Sequence, residues 1–134
     1  MATKVNKTNA ELLELVRALN MTPAEKGSKT EAKLKKISEK IKPLFEAYNE
    51  KREDIRLDHA HTGSNGVLDL NEKGEYQFTK DGIKAMAKDM KKLLDETFEF
   101  YQFTFSTEGI EGFTFLAGWV EGIEAEQSKE DDEV

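Results

Sequence analysis

His59 and His61 are the only histidines in a chain of 134 residues that has no cysteine, and they stand together as Asp58-His59-Ala60-His61. On a strand the two imidazoles share a face, and with Asp58 they form the start of a metal site of the kind that activates water in hydrolases. On a helix, positions two apart diverge and the pair is broken. At a helix C-terminus a histidine complements the dipole and donates to the last carbonyls. Asp58, His59 and His61 are thus the candidate ligands of a metal-dependent hydrolase, set against a reading with no metal, no cofactor and no catalytic residue. The missing cysteines exclude disulfides, thiolate metal sites and cysteine nucleophiles. Asn71-Glu72-Lys73-Gly74, with Asp69 before it, lacks the alternating oxygen ligands and terminal glutamate of a calcium loop and reads as a turn. Neither a phosphate-cradling glycine loop nor a nucleophile-elbow serine is present.

A second group of residues suits recognition better than chemistry. Tyr101, Phe103, Phe105, Phe113 and Trp119 supply more aromatic surface than one strand face and one helix face need, and their neighbours include Glu99, Glu108, Glu111 and Glu121. Aromatics on a sheet can stack nucleic-acid bases, but such a surface needs cations beside it in sequence, and here there are acids. Aromatics rimmed by charge are typical of protein–protein interfaces, with burial in the core the competing account. Glu108, Glu111, Phe113, Trp119 and Glu121 are the candidate partner-binding residues.

The charge pattern points the same way. The formal net charge is −7. From residue 106 onward Lys129 is the only basic residue among acids, while Lys29 to Arg52 is locally basic. A negative balance argues against direct nucleic-acid binding, whose affinity comes largely from neutralised phosphates. A partner with a basic surface is favoured instead, whether another protein or a second copy of the chain.

The elements that must position these groups follow from caps and periodicity. Thr8-Asn9-Ala10-Glu11 is a capping box, and Leu12, Leu13, Val16 and Leu19 continue it as an amphipathic helix over 9–20. Thr22-Pro23-Ala24-Glu25 repeats the box and predicts one helical turn. Ser28-Lys29-Thr30-Glu31 opens a long helix to about residue 58, its stripe of Leu34, Ile37, Ile41, Leu44, Phe45, Tyr48 and Ile55 passing in phase through Pro43. Val67–Leu70 and Glu75–Phe78 around Asn71–Gly74 predict a β-hairpin with Leu68, Leu70, Tyr76 and Phe78 on one face. Thr79 caps a further helix, and Phe98–Phe105 predicts a strand with a bulge near Tyr101-Gln102. Phe115, Leu116, Trp119, Val120 and Ile123 predict a last helix. The expectation is a single α+β domain over 1–126, in the order α-α-β-β-α-β-α with a small, mostly antiparallel sheet, followed by an acidic flexible tail over 127–134. Without an apolar leader or a run near the ~20 residues of a membrane span, the expectation is a soluble, cytoplasmic chain with no membrane partner.

The run Lys51-Arg52-Glu53-Asp54-Ile55-Arg56-Leu57-Asp58-His59-Ala60, then Gly66-Val67-Leu68, then Glu72-Lys73-Gly74-Glu75-Tyr76-Gln77-Phe78-Thr79-Lys80-Asp81-Gly82, with Phe98-Glu99-Phe100 beyond, resembles a group of small tailed-bacteriophage and prophage proteins. The likeness spans residues 33 to 105. It rests on a hairpin and its flanking caps, so it implies a viral origin and transfers no catalytic residue. The expected role is that of a virion or assembly accessory, which self-associates or docks on another phage protein, or that of an inhibitor of a host factor. Either role places the chain in the host cytoplasm or the virion.

Overall fold

A computed structural model describes residues 2–124; the expected tail at 127–134 lies outside the described residues. Over the described residues the fold is α+β: three helices, one short 3-10 turn and a two-stranded antiparallel sheet. The chain divides into two compact units, one joining the chain up to Pro43 with the chain from Thr97 onward, the other formed by Leu44–Glu96.

In the first unit, strand β1 (Lys4–Thr8) pairs with β2 (Thr97–Tyr101), Val5 opposite Phe100 and Thr8 opposite Thr97. Thr8 ends β1 and starts α1 (Asn9–Met21): its hydroxyl accepts from Glu11 N–H while the Glu11 carboxylate accepts from Thr8 N–H, completing the capping box. No helical turn forms at 22–25. Thr22 instead closes α1, its N–H donating to Leu19 C=O and its hydroxyl to Ala18 C=O. The second box is consumed as a C-terminal stop, which the shared Ser/Thr chemistry of caps and turns permits.

Helix α2 (Lys29–His59) runs uninterrupted through Pro43, and the border between the units falls at that proline. Ser28 caps it, accepting from Glu31 N–H, and Glu31 reaches one residue further back, to Gly27 N–H. Leu12, Leu15, Leu34, Ile37 and Ile41 are buried together with Phe100, Ile110, Leu116, Trp119, Val120 and Ile123, which makes the first unit the site of the main core.

Two expectations fail in this unit. The slip at Tyr101-Gln102 is no bulge but a change of partner: Gln102 N–H donates to Thr3 C=O, then Phe103 N–H donates to Trp119 C=O and Glu121 N–H to Phe103 C=O. The expected last helix reduces to the 3-10 turn η1 (Thr114–Leu116). Gly118 and Gly122 that follow have φ of +83° and +90°, a backbone that cannot continue a right-handed helix. The turn Trp119 N–H and Val120 N–H make to Leu116 C=O mimics helical spacing without a helix.

In the second unit, α3 (Lys80–Asp95) is capped by Thr79, whose hydroxyl accepts from Gly82 N–H. The hairpin is present as a tight antiparallel turn, with Leu70 bridging Tyr76 and Asn71 Oδ1 accepting from Lys73 and Glu75 N–H, but it does not extend into a ladder. Residues 61–63 take the backbone groups instead: His61 N–H donates to Gln77 C=O, Asp69 N–H to His61 C=O and Gly63 N–H to Val67 C=O. Leu68, Tyr76 and Phe78 are half-buried, while Leu70 faces outward.

Candidate interaction surfaces

The two histidines belong to different ties. His59, in the last turn of α2, donates its Nε2–H to Asp89 Oδ2 on α3 at 2.7 Å. The ring hydrogen bond, then the nearby positive charge, hold the Asp89 carboxyl below the usual carboxylate range. His61 Nδ1 lies 3.3 Å from Asp69 Oδ2, within the turn region. Asp58 is exposed. The candidate ligand set is therefore divided between two aspartates, and among the described residues no three His, Asp or Glu side chains gather into a metal-binding group. Asp89, thirty residues from His59, carries no local sequence signal that could have named it.

The acids of the second half are also committed to intramolecular work. The Glu121 carboxylate accepts from the Thr3 hydroxyl and N–H, which draw its pKa down. Glu108 pairs with Lys29 at 3.3 Å, and its carbonyl accepts from Lys33. Glu111 is exposed. Trp119 is only 3% exposed, with Phe100 edge-on at 5.0 Å and Phe98 at 6.4 Å, so it is a core residue, not the anchor of an outer face. Phe113 is half-buried and stacks on Phe115 at 5.7 Å.

The cations that the aromatic stretch lacks in sequence arrive from α2. Lys40 Nζ sits 4.5 Å and 4.7 Å from the Phe100 and Phe103 ring centres and donates to Tyr101 C=O, and Lys33 lies over Phe105. Two lysines of the basic run, Lys33 and Lys40, thereby cover part of the aromatic segment of their own unit, through contacts that combine ring faces with carbonyl acceptors. Spacing along α2 shows the lysines, but only the fold shows what they cover.

The second unit is built differently. Tyr48 and Leu93 are its buried apolar side chains, whereas Leu57, Val67, Leu70 and Ile83 are 45%, 61%, 47% and 51% exposed. Its polar ties are local: Arg56 lies over the Tyr76 ring at 5.4 Å and pairs with Glu53 at 3.2 Å, and the Glu53 carboxylate beside the Tyr76 hydroxyl raises that phenol's pKa. Among the described residues no helix is long and apolar enough to cross a membrane. No family model, curated protein or solved structure matches the chain.

Proposed function

We propose that the chain is a non-enzymatic interaction protein of phage origin, acting through protein–protein contact as an assembly accessory or as an inhibitor of a host factor. The origin rests on the resemblance carried by residues 33 to 105. The mode of action rests on one observation: the Leu44–Glu96 unit leaves Leu57, Val67, Leu70 and Ile83 in solvent while it buries little beyond Tyr48 and Leu93. A unit so lean in core gains more than most from covering those side chains, since each large aliphatic group removed from water contributes about 1.5–3 kcal/mol. Leu57 and Ile83 are the contact residues of this reading. They replace Trp119 and Glu121, whose side chains serve the first unit's own packing and hydrogen bonding.

Light scattering across a concentration series tests the proposal, with Leu57→Glu/Ile83→Glu as the comparison. A mass above that of the monomer that falls to the monomer in the double variant supports an assembly role. A wild-type monomer that binds a purified phage or host protein, and loses it in the double variant, supports docking on another chain. Association that the double variant leaves intact removes this surface from the reading.

A further inference from the structure

Beyond that surface, the first unit holds a cleft of about 170 Å³ between α1 and the segment after η1, lined by Lys7, Glu11, Glu14, Leu15, Phe115 and Trp119. Its floor is apolar and aromatic: Leu15 and Trp119 are buried, and Phe115 is half-buried. Its wall on α1 carries two carboxylates one turn apart. Burial pushes the Glu11 carboxyl up, but the Thr8 N–H it accepts and the Lys7 charge outweigh this and hold its pKa below the ordinary value, so it is ionised. Among the described residues Glu14 takes no ion pair.

An ammonium group already occupies the aromatic end of the cleft. Lys7 Nζ stands 4.8 Å from the centre of the Trp119 ring and 3.5 Å from Glu11 Oε2, with its side chain only 11% exposed. Gly118 is what lets it in, since a Cβ there would collide with the Lys7 ammonium. One ammonium against two carboxylates leaves the cleft with a net negative charge, and among the described residues Glu14 lines the same cleft without an ion pair of its own. A ring face, a pair of carboxylates and an aliphatic wall are what an alkylammonium recognises, with its stem on the apolar floor and its head on the charges.

We propose that this cleft is a binding site for an alkylammonium group, presented as a lysine side chain of a protein partner, and that Lys7 is an internal stand-in which the incoming lysine displaces from the Trp119 face. The proposal is independent of the Leu57 and Ile83 surface, because small probes read the cleft whether or not the chain self-associates.

Trp119 is the only tryptophan, so its fluorescence reports the cleft directly. The probes are n-butylammonium chloride and Nα-acetyl-lysine N-methylamide, with butanol and propionate as neutral and anionic controls. Both cations are expected to give a saturable change that the controls do not. Lys7→Met, which keeps the aliphatic stem, is expected to tighten binding by about tenfold, a ratio within the range of one cation–π contact. Glu14→Gln is expected to weaken binding several-fold, and because Glu14 is exposed on α1 it decides the matter even if Lys7→Met does not fold. A change with butylammonium alone overturns the partner-lysine assignment in favour of a free amine. No saturable change in wild type, or equal affinity in wild type and Glu14→Gln, overturns the site.

Discussion

His59 on α2 and Asp89 on α3 are joined by a 2.7 Å hydrogen bond that links the two helices of the Leu44–Glu96 unit near the turn region. Because the bond lowers the Asp89 pKa, the sign of its pH dependence is set. A carboxyl whose folded pKa lies below its unfolded value stabilises the fold above the unfolded pKa of about 4 and loses that contribution as the pH falls through the folded pKa. Asp89→Asn should therefore unfold at a lower temperature than wild type at pH 7, with the gap closing in acid below the folded pKa. Thermal unfolding followed by circular dichroism at pH 7 and at pH 3 checks this; a gap that stays constant across the two would contradict it.

Trp119 was a candidate for surface recognition, yet its ring is packed against Phe98 and Phe100. Trp119→Ala should cost about 3–5 kcal/mol, the range for deleting a buried aromatic. Glu111→Gln, at an exposed position, should change stability by less than about 0.5 kcal/mol. Urea denaturation of the two variants separates the roles, and similar midpoints would return Trp119 to the surface reading.

What the sequence made legible was largely local chemistry. The Thr8/Glu11 box, the Ser28 and Thr79 caps, the start and end of α2 and the Asn71–Gly74 turn all depend on residues a few positions apart, and all are present. Thr22 shows the limit of that signal, because the same hydroxyl that could open a helix closes α1 instead. Strand β1 was missed because Lys4–Thr8 has one apolar residue, Val5, and owes its extended form to β2, some ninety residues away. The last helix was mistaken because Gly118 and Gly122 place Leu116, Trp119 and Val120 at helical intervals through turns. The candidate sites follow the same division. Asp58-His59-Ala60-His61 was visible as a string, but the carboxylates that take its rings were not, and Lys7 entered no motif although it reaches Trp119 across the fold.

Gly74 and Gly118 both have φ near +80°, at +78° and +83°, but their surroundings differ. A Cβ at Gly74 meets nothing, so Gly74→Ala carries only the left-handed backbone cost of about 1–2 kcal/mol. A Cβ at Gly118 also meets the Lys7 ammonium, which must shift from its place over the Trp119 ring. Gly118→Ala should accordingly destabilise by more than Gly74→Ala and should shift the Trp119 emission, which Gly74→Ala leaves in place. Equal losses with unchanged emission would mean that Lys7 does not depend on the missing side chain.

The Thr8 box can be dissected in the same way. Thr8→Ala removes the oxygen that accepts from Glu11 N–H, while Glu11→Gln keeps a shape that can still accept from Thr8 N–H but loses the charge that faces Lys7. The first should cost about 1 kcal/mol. The second should cost less at pH 7, since its ion pair is partly solvent-screened. Chemical denaturation that ranks the two in reverse order would locate the stabilisation in the charge.

Pro43 offers the last and most direct test of how α2 is built. It lies inside a 31-residue helix, lacks the N–H that would donate to Glu39 C=O, and stands where the two compact units meet along the chain. The helix continues past it because the apolar stripe is in phase on both sides: Ile37 and Ile41 are buried before the proline, and Tyr48 after it. Packing thus offsets a local penalty of about 3 kcal/mol relative to alanine. Pro43→Ala should restore the missing bond and stabilise the chain by up to that amount, because residue 43 is exposed and its ring contributes no buried core surface. Hydrogen exchange supplies the local readout: the amides of residues 44 to 47 should exchange more slowly in the variant, as the helix loses its weakest point. A variant no more stable than wild type, with exchange unchanged across these residues, would show that the proline is already accommodated at no cost.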